Sequence, residues 1–307
     1  MDWTAEFDKQ LAGELPDVTV ACDEPMSRHT SFRIGGPARR MAFPKNGEQL
    51  VLLRAIGQRC GGRPLVIGNG TNLLSPDEGV DRLVIETSAA FQEITEGETP
   101  AAVTAAAGAS LARLADFACR RGLGGLEFAH GIPGTVGGGV CMNAGAYGGE
   151  MKQVLQSAVV LFPEEGVRTL SCDALDLSYR HSLLTDRPDA VVLRATFQLT
   201  VGDATKIREN MRDLMARRKA SQPLEWPSAG STFKRPTGHF AGTLIDQCGL
   251  KGLQVGGAQV SEKHAGFLIN RGGATCADVT ALIEAVQARV FAQTGVRLEP
   301  EVRIIQG

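Results

Sequence analysis

The stretch 131–149 constrains the fold of this chain more than any other feature, because its sequence GIPGTVGGGVCMNAGAYGG contains eight glycines. Each glycine inside a regular element loses much backbone entropy on folding, so the pattern predicts neither a regular helix nor a well-packed strand. Consecutive N–H groups in a concave turn bind phosphate oxygens. We therefore expect an anion-binding loop, since no packing purpose for so long a glycine-rich segment is evident.

A second glycine-rich turn, Gly68-Asn69-Gly70-Thr71-Asn72, directly follows the short apolar strand predicted over Pro64–Ile67. A structural turn and a phosphate-binding turn both suit so short a loop, and for this loop alone the structural turn is the simpler interpretation. Neither segment has the third glycine of the dinucleotide-binding fingerprint, and the chain has no GxxxxGK[ST] motif. A pyrophosphate bound here would need a fold other than the Rossmann or P-loop fold.

Composition and charge narrow the function classes. The 307 residues include 32 Lys and Arg against 34 Asp and Glu, so no overall basic field attracts nucleic acid or anionic lipid. A hydrophobic fraction of 43% is ordinary for a globular protein. No apolar run approaches the roughly 18 residues of a membrane span, and the first residues lack the apolar core of a secretory signal. We expect a cytoplasmic protein without membrane insertion or a nucleic-acid partner.

The seven cysteines and five histidines are scattered along the chain. No two cysteines form a CxxC pair, and no histidines form an HxxxH or HExxH pair. These spacings predict reduced, buried thiols and no metal site.

Hydrophobic periodicity predicts alternating helices and strands. An amphipathic helix is predicted near the N-terminus, and two more helices begin at the caps Asn46 and Ser110. A change of character near 200–205 separates a glycine-rich α/β region from a smaller α+β region. The other predicted elements are strands at 64–67, 82–86, 154–162, 167–171, 190–199 and 296–305, and helices at 204–219 and about 277–292.

The last predicted strand alternates apolar and charged side chains. Pro300 within it favours an edge or a break. A charged strand face is commonly just solvated, and the spacing alone does not single out Glu301. The predicted faces are Val296, Leu298, Val302 and Ile304 on the apolar side, and Arg297, Glu299, Glu301 and Arg303 on the charged side.

Two short polar segments are candidates for chemistry. Arg180, in the segment 179–182, could hold a carboxylate through its bidentate guanidinium, although a solvated surface arginine is the simpler interpretation. Ser231 ends the small-residue segment 228–231, which could present a hydroxyl into a cleft or be an ordinary turn.

Taken together, the segments of this chain resemble the UDP-N-acetylenolpyruvoylglucosamine reductase family over roughly residues 28–305. The family completes UDP-N-acetylmuramate in bacterial peptidoglycan synthesis. This chain looks like the shorter form, which lacks an extra tyrosine-bearing loop, and Arg235 stands where the longer form has Asn. The matching segments are 29–38, 68–74, 131–149, 179–182, 228–236, 241–252, 257–270 and 298–305.

The resemblance implies a mixed α/β, vanillyl-alcohol-oxidase-type (PCMH-like) FAD-binding fold of two subdomains, with a smaller α+β substrate-binding domain at the C-terminus. We expect the first FAD-binding subdomain at 1–75, the second at 76–203, and the substrate-binding domain at 204–307. The expected cofactors are FAD and NADPH, the substrate is a nucleotide sugar, and a monomer is expected.

The resemblance also implies a ping-pong reaction. NADPH reduces FAD and leaves, and the enolpyruvyl substrate then takes its place and is reduced. Ser231 is the implied proton donor, with Arg180 and Glu301 flanking the substrate carboxylate. Glu301 suits that position only if it is protonated or donates through water, because a carboxylate would repel the enolate.

Further site residues are implied by the family's motifs. Residues expected to bind the substrate are Tyr179, Lys234, Arg235 and His264. Residues expected to bind the cofactor are Arg33, Gly68, Asn69, Gly70, Thr71, Asn72, Leu73, Gly131, Ile132, Pro133, Gly134, Thr135, Gly138, Asn143, Gly145 and Ala146.

Two other functions remain open on sequence grounds. One is a flavin-dependent oxidase or dehydrogenase of the same superfamily that acts on an alcohol or a sugar, against which the segments downstream of residue 225 argue. The other is a non-catalytic nucleotide-sugar-binding protein. Substitution of Arg180, Ser231 or Glu301 would be typical of that class, and all three are present.

Overall fold

Helices and strands alternate along the chain, as the hydrophobic pattern predicts. The computed structural model of the protein describes residues 2–306. Within this range none of the helices is both long and apolar enough to cross a membrane. The α-helices are α1 (Trp3–Glu14), α2 (Gly47–Cys60), α3 (Leu111–Arg120), α4 (Val136–Cys141), α5 (Leu183–Asp186), α6 (Ala204–Ser221), α7 (Ala241–Gln247) and α8 (Cys276–Thr294).

Most of the strands are short. In chain order they are β1 (Thr19–Pro25), β2 (Pro37–Phe43), β3 (Leu65–Ile67), β4 (Leu73–Leu74), β5 (Val80–Glu86), β6 (Ile94–Glu96), β7 (Ala102–Ala106), β8 (Leu123–Gly124), β9 (Gly145–Ala146), β10 (Gly149–Glu150), β11 (Leu155–Phe162), β12 (Gly166–Ser171), β13 (Val191–Gln198), β14 (Thr200–Val201), β15 (Gln254–Val255), β16 (Ala258–Val260), β17 (Leu268–Asn270) and β18 (Arg303–Ile304).

The chain forms two compact units, each assembled from separate segments. The first unit contains the chain up to Ala21, Arg40–Asn69 and Leu83–Arg218. The second contains Cys22–Arg39, Gly70–Arg82 and the chain from Lys219 onward. The division falls inside β1, β2 and β5. The three-part division predicted from the sequence stays a prediction.

An antiparallel sheet of five strands, in the order β12-β11-β13-β7-β6, lies in the first unit. Ala158 on β11 lies opposite Ala195 on β13, which in turn lies opposite Ala105 on β7. All three alanines are buried. This row of small side chains lets neighbouring elements pack closely on the sheet.

The other sheet with long strands has the order β1-β2-β5-β3. Within the first unit β3 and β5 pair in parallel, with Leu65 opposite Val84. Helix α2 leads into β3. Its N-terminus is capped by the Asn46 side chain, which accepts from the N–H of Gln49, and it ends at Gly61 in the left-handed conformation. The N-terminal cap is the one that the sequence predicts.

Much of the hydrophobic core of the second unit lies on helix α8. It packs against α7 and against the hairpin β15-β16, which with β17 forms an antiparallel three-stranded sheet. Strand β18 pairs with β4 in parallel, Arg303 opposite Leu73. The apolar stripe of α8 is fully buried and consists of Val279, Leu282, Ile283, Val286 and Val290.

The structure confirms most predicted elements but not the last strand. Only Arg303–Ile304 of the predicted strand over 296–305 is a strand. Pro300 has no N–H to donate, and the chain bends at Val302. The bend shifts the alternation by one residue, so Ile305 is buried while Ile304 is 41% exposed. The predicted apolar face is therefore wrong at Ile304.

The cysteines differ in their burial. All seven are free thiols, as predicted. Only Cys119 and Cys276 are buried, and Cys22 on β1 is exposed, so the prediction of buried thiols is wrong for the others.

The N-terminus of α8 provides a test of the fold. Asp278 accepts hydrogen bonds from the N–H groups of Thr275 and Gly257, at 3.0 and 3.2 Å, and these bonds lower its pKa. Asp278→Ala should lower the free energy of unfolding by about 1 kcal/mol, the usual worth of a helix cap. Urea unfolding measures the difference.

The pH dependence follows from the direction of the Asp278 pKa. A lowered pKa in the folded state stabilises the protein above the unfolded pKa of about 3.9, and this stabilisation is lost as the pH falls through the folded value. Wild type and Asp278→Ala should therefore converge in acid. Glu284→Ala, at an exposed position of the same helix, is the matched control and should change little. Equal stability of the wild type and Asp278→Ala at pH 7 would contradict this account.

Candidate active site

The glycine-rich stretch contains a short regular helix, so the prediction that it forms no helix is wrong. Helix α4 spans Val136–Cys141, and the Thr135 side chain caps it. A Cβ at Gly137 would lie 3.0 Å from the Cβ of Ala107, and a Cβ at Gly139 would lie 3.2 Å from Leu111. Glycine is therefore kept in this helix because α4 packs tightly on its neighbours, which outweighs the entropy lost.

The first N–H groups of α4 are already used within the protein. Val136 donates to the carbonyl of Ala109 and Gly137 to the carbonyl of Ala107, each at 2.8 Å. An anion bound at this stretch must therefore use other donors. Gly138 is exposed in the same turn, and its N–H donates to the Thr135 hydroxyl oxygen of the cap at 3.4 Å.

The shorter glycine-rich turn is equally crowded. Within the first unit, a Cβ at Gly68 would lie 2.3 Å from the Thr135 hydroxyl oxygen, so the turn approaches the α4 cap directly. Within the second unit, Gly70 has φ +58° and its Cβ would lie 2.0 Å from the carbonyl oxygen of His29. Close packing is therefore sufficient to require glycine at both positions.

This turn nevertheless leaves donors for a ligand. Gly70 is buried, and neither its N–H nor that of Thr71 donates to any acceptor within residues 2–306. A buried N–H without a partner is rare in folded proteins. The turn thus fits a phosphate oxygen of a nucleotide cofactor such as FAD.

The end of the same turn is joined to the C-terminal segment. The Asn72 side-chain amide donates to the carbonyl of Glu301 at 3.1 Å. The Arg303 N–H donates to the carbonyl of Asn72 at 3.0 Å. Leu73 then enters β4, which pairs with β18. The second unit thereby places Glu301 beside the predicted cofactor-binding turn.

Ser231 lies on the neighbouring segment of the second unit. The following residue, Thr232, accepts from the Glu301 N–H at 2.7 Å through its carbonyl and donates its own N–H to the Gly266 carbonyl at 2.8 Å. Ser231 is exposed, whereas Thr232 is buried. Ser231 and Glu301 therefore sit on directly hydrogen-bonded segments, with the serine hydroxyl open to a ligand.

The predicted substrate-binding residues of this unit lie within a few positions, along the chain, of those hydrogen-bonded segments. Lys234 forms an ion pair with Glu299. The Arg235 guanidinium lies 4.3 Å from the centre of the Phe240 ring. Each of these cations has a partner on its own unit.

His264 is held as a neutral ring. Burial lowers the pKa of His264, and its Nδ1 accepts from the Gly266 N–H at 3.1 Å. The ring lies edge-on to Phe267, with 5.0 Å between the centroids. The proton of the neutral ring is therefore on Nε2, which can donate to a ligand.

Arg33, another predicted cofactor residue, is exposed on the second unit and has φ +55°. Its N–H donates to the carbonyl of Thr30 at 3.0 Å. The preceding carbonyl, of Phe32, accepts from the buried side chain of Asn270 at 3.0 Å. The backbone that presents Arg33 is thus anchored in the core of its unit.

Arg180 stands in a tight turn of the first unit. Ser178 and His181 form an antiparallel bridge, and Arg180 between them has φ +55°. Its guanidinium lies 5.2 Å from the centre of the Tyr179 ring and 3.5 Å, by Nη2, from the carbonyl oxygen of Gly145. The turn therefore places Arg180 beside β9, within the glycine-rich stretch.

Asn143 holds that turn in place. Its side chain, 1% exposed, donates to the Ser178 carbonyl and to Glu150, each at 3.0 Å. Its Oδ1 accepts from the Lys152 N–H at 2.9 Å. Because these bonds occupy the amide, a cofactor contact at Asn143 would come from its backbone.

The structure also shows a residue that the sequence analysis missed. Arg218, in the last turn of α6, is buried in the first unit near Gly131. Its spacing from Ile207 and Met211 places it on the apolar face of the helix, and this spacing is the signal that could have found it. In the described part of the chain, no group of three or more His, Cys, Asp or Glu could hold a metal ion.

Comparison with known proteins gives matches to both parts of the chain. A family model described as UDP-N-acetylenolpyruvoylglucosamine reductase, C-terminal domain, matches residues 222–305. A model described as FAD binding domain matches residues 38–171.

Relatives match nearly the whole chain. The UDP-N-acetylenolpyruvoylglucosamine reductase of Agathobacter rectalis is 49% identical over 309 residues, 97% of this chain and 98% of the relative. That of Latilactobacillus sakei is 48% identical over 288 residues, 94% of each. The crystal structure of the Thermus caldophilus enzyme matches with a TM-score of 0.79 and 35% identity, over 94% of this chain and 99% of that one. These matches confirm the predicted FAD-binding fold class.

The role of Asn143 can be tested by removing its amide. Asn143→Ala leaves the carbonyl of Ser178 and the N–H of Lys152 without their partner and puts alanine at φ +41°. The free energy of unfolding should fall by about 2–4 kcal/mol, since three hydrogen bonds of a buried amide are lost and each is worth about 0.5–1.5 kcal/mol. Gln156→Ala, which shortens an exposed amide of the same unit, should change it little. Equal denaturant midpoints for the two variants would contradict this role.

Proposed function

The chain belongs to the UDP-N-acetylenolpyruvoylglucosamine reductase family, and from that premise we propose the roles that its own residues play in the reaction. As a member of the family it is an oxidoreductase of peptidoglycan synthesis that uses FAD and NADPH. Its substrate is UDP-N-acetylglucosamine enolpyruvate, and its product is UDP-N-acetylmuramate. When bound, FAD supplies the hydride chemistry between NADPH and the enolpyruvyl double bond.

The observation that best supports this proposal is the set of hydrogen bonds around Glu301. Its N–H binds the backbone next to Ser231, and its carbonyl accepts from Asn72. A candidate proton donor, a candidate acid and Asn72 of the predicted cofactor turn thus lie on adjacent segments of one unit. That arrangement suits a reduction that ends in proton transfer.

Ser231 donates the proton in this proposal. Hydride addition at the vinyl carbon β to the carboxylate leaves negative charge on the α carbon and the carboxylate oxygens. Ser231 Oγ–H then gives its proton to the α carbon. A hydroxyl is a weak acid, but an enolate is a strong base, so the transfer is favourable.

Arg180 and Glu301 act on the carboxylate. The Arg180 guanidinium stabilises the charge that develops on the carboxylate oxygens in the transition state. Glu301 contributes as its protonated form or through a bridging water, because a second carboxylate would repel the enolate. The glycine-rich turns, Arg33 and the residues predicted with them hold FAD, and Tyr179, Lys234, Arg235 and His264 hold the nucleotide sugar.

We propose also that the protein works as a monomer in the cytoplasm. Its seven cysteines are all free thiols, which suits a reducing compartment.

The two half-reactions separate the role of Ser231 from cofactor binding. In anaerobic stopped-flow absorbance, the flavin of Ser231→Ala should bleach at the normal rate when NADPH is added. Its reoxidation by the enolpyruvyl substrate should fall by at least about 100-fold, the usual contribution of a positioned acid. Ser228→Ala, in the same segment, should behave as wild type in both. Equal loss of both half-reactions in Ser231→Ala would contradict the assignment.

Arg180→Ala removes a hydrogen-bonding partner of the reacting carboxylate, and Glu301→Gln replaces the ionisable group beside it by a neutral amide. We expect each to lose about 2–5 kcal/mol of transition-state stabilisation, read from kcat/KM for the enolpyruvyl substrate. Arg187→Ala and Glu284→Gln alter exposed groups elsewhere and serve as controls. Near-wild-type turnover in either test variant would remove that residue from the mechanism.

A further inference from the structure

Arg218 lies on the apolar face of α6, where a charged side chain is unusual. It lies in the last turn of α6, one turn beyond Leu214 and two turns beyond Met211. Its residue surface is 9% exposed, whereas its neighbour Arg217 is exposed and pairs with Asp213. Helical spacing thus turns one arginine of the pair to solvent and the other into the first unit.

The surroundings of Arg218 hold no counter-ion. No hydrogen bond or ion pair to its guanidinium exists within residues 2–306. A Cβ at Gly131 would lie 3.3 Å from the Arg218 Cδ and 3.7 Å from Met215 Cε, so the stem is packed against this glycine. Burial lowers the pKa of Arg218, and the group that raises it is the Tyr147 phenol.

Another buried arginine of the same unit shows the contrast. Arg54, 8% exposed, donates to the Asp189 carbonyl and has the Asp189 carboxylate 3.7 Å away. Its charge is therefore compensated inside the protein. Arg218 has the same burial and no such partner. An unpaired buried charge is strongly unfavourable, so its presence points to an anion that arrives with a ligand.

We propose that Arg218 is an anion-binding residue of the flavin site, whose guanidinium pairs with an anionic group of bound FAD. The proposal rests on the cofactor assigned above. Gly131, which packs against the Arg218 stem, and Tyr147, whose phenol raises the Arg218 pKa, lie towards the two ends of the glycine-rich stretch expected to hold FAD. A guanidinium is weakly hydrated and presents several donors, which suits a phosphate or a ring anion in a dry site.

FAD offers two anions, and its redox state separates them. The diphosphate is charged in both oxidised and reduced FAD. The flavin ring is neutral when oxidised and becomes an anion when reduced at neutral pH. A contact to the diphosphate therefore affects binding of both forms, and a contact to the ring affects binding of the reduced form alone.

The test compares Arg218→Met and Arg218→Lys with the matched surface control Arg217→Met. Flavin fluorescence gives the dissociation constant of oxidised FAD, equilibration with a reference dye gives the reduction potential, and thermal unfolding is followed with and without added FAD. The wild-type protein must contain FAD, and its absence there would be a failure of the proposed function rather than of Arg218.

Arg218→Met should weaken the binding of oxidised or of reduced FAD at least tenfold. If the partner is the diphosphate, the loss appears with oxidised FAD and the potential is unchanged. If the partner is the reduced ring, oxidised FAD binds normally and the potential falls by about 30 mV per tenfold change. Arg218→Lys should recover part of either effect, and Arg217→Met should show neither.

Stability separates this role from a structural one. Replacing an unpaired buried charge by an apolar side chain should leave the FAD-free protein as stable as wild type or more stable, while the stabilisation by added FAD shrinks. A variant with wild-type FAD affinity and potential overturns the proposal. So does a loss confined to KM for NADPH or for the enolpyruvyl substrate, and so does a loss of stability that is equal with and without FAD.

Discussion

The hydrogen bonds of one buried residue, Thr232, organise the second unit. Its N–H binds the Gly266 carbonyl at 2.8 Å, its hydroxyl accepts from Leu268 at 3.1 Å, and its carbonyl accepts from Glu301 at 2.7 Å. Three segments distant in sequence are thereby joined at a residue that is 1% exposed. The proposed proton donor directly precedes Thr232, and the proposed acid lies directly across from it. Together with the bond from the Lys234 N–H to the Glu299 carbonyl, at 2.9 Å, these bonds fix the backbone of Ser231 relative to that of Glu301.

Glycine in this chain serves two purposes that the sequence does not distinguish. At Gly68, Gly70 and within α4, it lets backbone segments approach one another more closely than any side chain would allow. At Gly70 the same turn leaves a buried N–H without a partner, which suits a phosphate. The two interpretations offered for the glycine-rich turns are therefore compatible. The close packing that requires glycine also leaves the Gly70 N–H available to a ligand.

Local features of this fold could be predicted, and long-range pairings could not. The caps Asn46 and Ser110 and the stripe of α8 follow from spacing, because they depend on neighbouring residues. The pairing of β4 with β18 joins segments 230 positions apart, and no local pattern encodes it. The prediction of a strand over 296–305 is wrong, because Pro300 and the bend at Val302 interrupt the alternation of apolar and charged residues. The site residues came from a resemblance in motifs, and Arg218 was missed because arginine is ordinarily assigned to a solvated face.

The most direct measurement for this account is the visible spectrum of the purified protein under anaerobic conditions. The account predicts a two-band flavin spectrum that bleaches with NADPH and returns when UDP-N-acetylglucosamine enolpyruvate is added. This single titration tests cofactor, donor and acceptor together. A flavin that bleaches and recovers with oxygen alone would contradict the assigned substrate. A colourless protein that cannot be reconstituted with FAD would contradict the account as a whole.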